Sequence, residues 1–72
     1  MNLLENDMNQ KILTCLSQGK TIKEIALLVY SSKRSVERSI RKMKGQVGCK
    51  NNVELVSYAH KNNLINTLST ND

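Results

Sequence analysis

Arg34, Arg38 and Arg41 recur at spacings of four and three, so a helix carrying them presents all three on one side, with Lys33 and Lys42 at the flanks. Such a row offers fixed fork-shaped donors to anions, and the neighbouring Ser35 and Ser39 add short hydroxyl donors. Between Lys20 and Lys50 nine basic residues stand against two acidic ones, Glu24 and Glu37, a net of +7, whereas the rest of the chain sums to −2. The formal charge of +5 is therefore concentrated in one stretch, and an anionic partner is the first to consider.

Other chemistries fail on inventory. A zinc site needs three or four ligands, and His60 with Cys15 and Cys49 far apart in sequence does not supply them. Acid–base catalysis needs paired carboxylates or a histidine in a pocket, and Glu24 already has a capping role. There is no glycine-rich phosphate loop, so neither an enzyme nor a cofactor or metal is expected. At 72 residues the chain has room for one domain. Two cysteines make no disulfide framework, and Cys15 is expected to act as a small buried hydrophobe. The longest apolar run, Ile25 to Tyr30, is far too short to span a bilayer, and acidic Glu5 and Asp7 occupy the place of a signal peptide, so a cytoplasmic setting is expected.

The elements that must position the arginines are all helical, in keeping with no Pro and only three Gly. Met8, Ile12, Leu13 and Leu16 make a stripe for a first helix from about Glu5 to Gln18, stopped by Gly19. Thr21-Ile22-Lys23-Glu24 is a capping box opening a second helix of about eight residues, with Ile25, Ala26, Leu28 and Val29 as its apolar content. Ser31-Ser32 interrupts it. Val36, Ile40 and Met43 then form the aliphatic stripe of a third, basic helix, expected to end near Gly45. Asn51 or Asn52 caps a fourth, for which Val53, Val56 and Ala59 give one stripe, with Leu55 and Tyr58 alongside. Leu64-Ile65 is expected to fold back on the core, so residues 1–65 form the domain and 66–72 a polar, disordered tail.

A capped helix, a turn at Tyr30-Ser31-Ser32-Lys33 and a basic amphipathic helix follow the helix-turn-helix plan, in which the second helix lies in the major groove of duplex DNA. A Lys/Arg-rich face can also be merely solvated. The supporting helix upstream and the near absence of acidic residues favour DNA.

At this point a resemblance becomes specific. Gly19-Lys20-Thr21-Ile22-Lys23-Glu24-Ile25-Ala26, then Ser32-Lys33-Arg34-Ser35-Val36, Ile40, Val47-Gly48-Cys49, Ala59 and Leu64-Ile65 resemble the LuxR/GerE-type helix-turn-helix domain over roughly residues 5 to 65. That family's pattern is G-x-[ST]-x-K-E-I-A, S-x-x-[ST]-V-[KR]-x-H and I-x-x-K-L-G-V. The resemblance implies an all-α domain of four helices, a third helix that reads the major groove, and a fourth that commonly mediates dimerisation. The chain departs from the pattern at Glu37, where Lys or Arg is usual, at Ser39 for His, at Ser31 for an aliphatic residue, at Asn52 for Arg, and at Leu55 for a small residue. A carboxylate repels phosphate and accepts only from cytosine among base edges, so either the DNA site is unusual or Glu37 pairs with Arg34, Arg38 or Arg41.

The expectation is thus a sequence-specific transcription regulator, stand-alone or the C-terminal domain of a response regulator. Lys33, Arg34, Arg38 and Arg41 would bind the duplex with Glu37 among them, while Lys20, Thr21, Ser35, Lys42, Lys44 and Lys50 hold phosphates. As a homodimer on DNA it would address half-sites about 34 Å apart. Leu55 and Tyr58 on the fourth helix, and whichever of Leu27 and Leu28 faces outward, are candidates for a dimer or partner surface toward a receiver domain or another transcription protein. The competing class is a protein-interaction module on the same scaffold.

Overall fold

The computed structural model describes residues 3–65. Among the described residues a 3-10 turn at Leu3–Glu5 precedes four α-helices, α1 (Asp7–Ser17), α2 (Ile22–Leu28), α3 (Lys33–Val47) and α4 (Asn52–Lys61), and there is no strand.

Each helix starts on a side-chain cap. Asn6 Oδ1 accepts from the N–H groups of Met8 (2.9 Å) and Asn9 (3.2 Å), which moves the start of α1 from Glu5 to Asp7. The capping box of α2 is formed: Thr21 Oγ1 accepts from the Glu24 N–H at 3.1 Å, and Glu24 Oε1 accepts from the Thr21 N–H at 2.8 Å. Ser32 Oγ accepts from the Ser35 N–H at 3.0 Å to open α3. Asn51, not Asn52, caps α4, accepting from the Glu54 N–H at 2.9 Å, while Glu54 reaches back one residue further than expected, to the Lys50 N–H at 2.8 Å.

The four C-termini share one geometry. A left-handed residue follows each helix, Gly19 (φ 79°), Tyr30 (φ 55°), Gly48 (φ 75°) and Asn63 (φ 56°). The next N–H closes back onto the helix, Lys20 to Cys15 O (3.1 Å), Ser31 to Ala26 O, Cys49 to Lys44 O and Leu64 to Ala59 O (each 2.9 Å). Gly45, expected to terminate the basic helix, lies inside it; α3 runs two residues further and Gly48 ends it. Glycine suits the left-handed conformation because it has no Cβ. Tyr30 takes it at a steric cost of about 1–2 kcal/mol, which the turn between α2 and α3 must absorb.

The core joins Leu4, Ile12, Leu13, Ile25, Val36, Met43, Leu55 and Ala59, all fully buried, with Cys15, Ala26, Ile40 and Ile65 nearly so. Burial pushes the Cys15 thiol above its ordinary value, against the opposing pull of Lys20, so it stays protonated among these apolar neighbours. The α4 stripe differs from expectation. Leu55 and Ala59, four apart, face α1 and α3, while Val53 is 79% exposed. Leu55 is therefore a core residue and cannot belong to a partner surface; Tyr58 is half-buried against the same core. Leu64 and Ile65 do fold back onto the core. The tail expected at 66–72 lies outside the described residues.

Candidate nucleic-acid interface

The site begins with three aliphatic side chains. Val36, Ile40 and Met43 repeat at four and three on α3, and their burial fixes the helix against the body of the domain, most extensively against α2. With that seam inward, the other side of α3 is committed to solvent: Lys33, Arg34, Glu37, Arg38, Arg41 and Lys42 are all exposed. Lys44, Ser35 and Ser39 sit half-buried at the edges of this face. The arrangement brings Arg34, Arg38 and Arg41 onto one surface.

The beginning of α2 supplies a second set of donors. Thr21 is exposed, and its hydroxyl serves the cap, the oxygen accepting from the Glu24 N–H. Lys20 beside it is half-buried. The backbone bond from Thr21, helped by the Thr21 hydroxyl and by Lys20, holds the Glu24 carboxyl below the usual carboxylate range, so the cap stays ionised near neutral pH. Lys50 is exposed on the loop before α4.

Between these elements lies a cleft of about 360 Å³ walled by Ile22 of α2, Glu37, Ile40, Arg41 and Lys44 of α3, and Asn52 of α4. Glu37 thus stands one turn from Arg41 on the same wall, at the edge of the basic face that turns toward the start of α2. Asn52 Oδ1 is buried without a hydrogen-bond partner, a cost that sequence reading could not foresee because its burial depends on how α4 seats against α1 and α3. Among the described residues no group of His, Cys, Asp and Glu is placed to hold a metal ion. Among the same residues no helix is long and apolar enough to cross a membrane.

The short α2, its turn and the cationic α3 also expose apolar surface at their junction. Leu27 is 71%, Leu28 52% and Tyr30 96% exposed, so both leucines face outward where only one was expected to. A broader groove of about 800 Å³ runs between α1, the end of α2 and the segment after α4, with Cys15, Leu28, Val29, Leu64 and Ile65 as its apolar floor.

Four helices in which a capped α2, a turn and a basic α3 form the outward face define a helix-turn-helix domain. The chain belongs to the luxR family of bacterial regulatory proteins, whose GerE domain model matches residues 8–59. It is also 36% identical over 59 residues to a probable transcriptional regulator, ycf29, of Porphyra purpurea, an alignment that takes in 82% of this chain and 28% of that protein. The chain therefore spans little more than a quarter of the length of that relative. No solved structure gives a significant match.

Proposed function

We propose that this domain is the duplex-DNA-binding part of a transcription regulator, with α3 in the major groove. The observation that carries the reading is the division of α3 into a buried Val36, Ile40 and Met43 seam and an exposed face bearing Arg34, Arg38 and Arg41. Arg38 stands at the middle of that face, and Lys33, Arg34 and Arg41 contact the duplex around it. Lys20, Thr21, Ser35, Lys42, Lys44 and Lys50 engage phosphates on either side of the groove. Membership in a family of regulatory proteins and similarity to a probable transcriptional regulator support the same reading. On DNA the domain acts as a homodimer across two half-sites, in a cytoplasmic setting.

The test is a fluorescence-anisotropy titration against random duplex DNA at two salt concentrations, with Arg38→Ala alongside. Binding is expected to fall with salt at about −0.9 in log K per phosphate contact, and Arg38→Ala is expected to weaken it by about 1–3 kcal/mol. A salt slope near zero overturns the reading.

A second reading, in which the domain also meets another regulator or a receiver domain, is favoured by the exposed Leu27, Leu28 and Tyr30. Leu27→Ser and Leu28→Ser are expected to leave DNA affinity in place and to reduce regulation of a reporter in cells. Unchanged regulation by both variants excludes these leucines from any such contact.

A further inference from the structure

Among the seven charged residues of α3, Glu37 is the single acid, and it is exposed. The other glutamates of α2 and α4 have local structural work: Glu24 and Glu54 each accept a backbone N–H at a helix start. Glu37 is instead the fifth residue of α3, three after Arg34 and four before Arg41. Whatever surface those arginines meet, Glu37 meets it too, in the N-terminal half of the helix that approaches base edges when such a helix docks. It cannot serve on phosphate, where its charge is repelled. Its place on the wall shared with Ile22 and Arg41 puts it on the side of α3 that faces the start of α2.

The groove chemistry then narrows its target to one base. Guanine offers acceptors at N7 and O6, and thymine an acceptor at O4, so a carboxylate finds only repulsion at both. Adenine has a donor at N6 but an acceptor at N7 beside it, whereas cytosine presents its N4 amino group as a donor with no acceptor alongside.

Resting on the reading of α3 as the groove helix, we propose that Glu37 is a specificity-determining residue that selects cytosine at one position of each half-site by accepting a hydrogen bond from its N4 amino group. The same charge lowers affinity for every other sequence, so Glu37 contributes by rejecting wrong sites as well as by holding the right one.

Selection from a randomised duplex library with the wild-type chain, Glu37→Gln and Glu37→Ala tests this, with circular dichroism to verify that each variant is folded. Wild type is expected to enrich cytosine at one position, with at least about a fivefold loss of affinity when that base is changed. Glu37→Gln, whose amide matches the N6 and N7 edge of adenine, is expected to move that one preference to adenine; Glu37→Ala is expected to lose it, and both bind random duplex more tightly than wild type. Identical motifs from all three chains overturn the proposal, as does a wild-type motif without a cytosine that answers to Glu37. Failure of every chain, wild type included, to bind any duplex takes down the DNA-binding reading itself; Arg38→Ala binding more weakly while the motifs stay identical removes Glu37 alone.

Discussion

Three of the four helices place an acid in the first turn, Asp7 in α1, Glu24 in α2 and Glu54 in α4, where it complements the partial positive charge of the unpaired N–H groups. Helix α3 places Lys33 and Arg34 there and no acid at all. Cations at that end oppose the helix dipole, each by about 0.3–1 kcal/mol at an exposed position. Local stability would be served by the arrangement the other three helices use. Helix α3 departs from it while keeping the same kind of cap in Ser32, as the proposed contact with an anionic duplex requires. The frame of α1, α2 and α4 thus carries first-turn charge that favours the helix, and α3 carries first-turn charge that opposes it.

The sharpest way to break this contrast is to remove a frame residue and ask whether binding is lost only through the fold. Leu55 is fully buried and Val53 is 79% exposed two residues earlier on α4. Leu55→Ala is expected to cost about 2–5 kcal/mol, because truncation leaves a cavity between α4 and the helices it packs on. Val53→Ala is expected to change stability by less than about 0.5 kcal/mol. Urea unfolding of the two variants checks the assignment. Equal effects would mean that α4 is seated on its other side, with Val53 inward.

A smaller effect tests the contrast at its centre. Lys33→Glu places on α3 the first-turn acid that the other helices have, and is expected to raise stability by about 0.3–1 kcal/mol while weakening duplex binding. Opposite signs in the unfolding midpoint and the anisotropy titration are the signature of charge held for a partner. If both measurements move in the same direction, Lys33 acts on the fold alone.

How much of this the sequence discloses differs between helices for a physical reason. In α3 the apolar residues are few and fall on one stripe, so Val36, Ile40 and Met43 are legible as the seam and the arginines as the face. In α4, Val53, Leu55, Val56, Tyr58 and Ala59 surround more than one stripe, and the choice among them is made by packing against α1 and α3. The expected stripe through Val53 was accordingly misplaced, and with it the surface role given to Leu55. Helix starts follow short-range rules and were mostly readable, the capping box of Thr21 and Glu24 in full. Ends were less so: Gly45 and Gly48 are both glycines near the right place, and only the left-handed φ of 75° at Gly48 decides between them. The cleft holding Glu37 and Asn52 joins three helices, so periodicity within any one of them could not reveal it.

The last effect is the smallest and concerns how the frame keeps its own charge. The Glu24 carboxyl is held below its ordinary value of 4.5 by the backbone N–H of Thr21 above all, with the Thr21 hydroxyl and Lys20 adding to it against the opposing cost of burial, which is second in size. Since the folded value lies below the unfolded one, the unfolded chain binds this proton more readily. The carboxylate therefore contributes stability that is fully present above about pH 4.5 and is lost as pH falls through the folded value. Glu24→Gln keeps an acceptor for the Thr21 N–H and removes only the charge. Its unfolding midpoint is expected to lie slightly below wild type from neutrality down to about pH 5, and the two curves are expected to converge on further acidification. A gap that persists unchanged at low pH would show that the oxygen geometry of the cap, rather than its charge, fixes the start of α2 and hence the Thr21 donor beside the basic face.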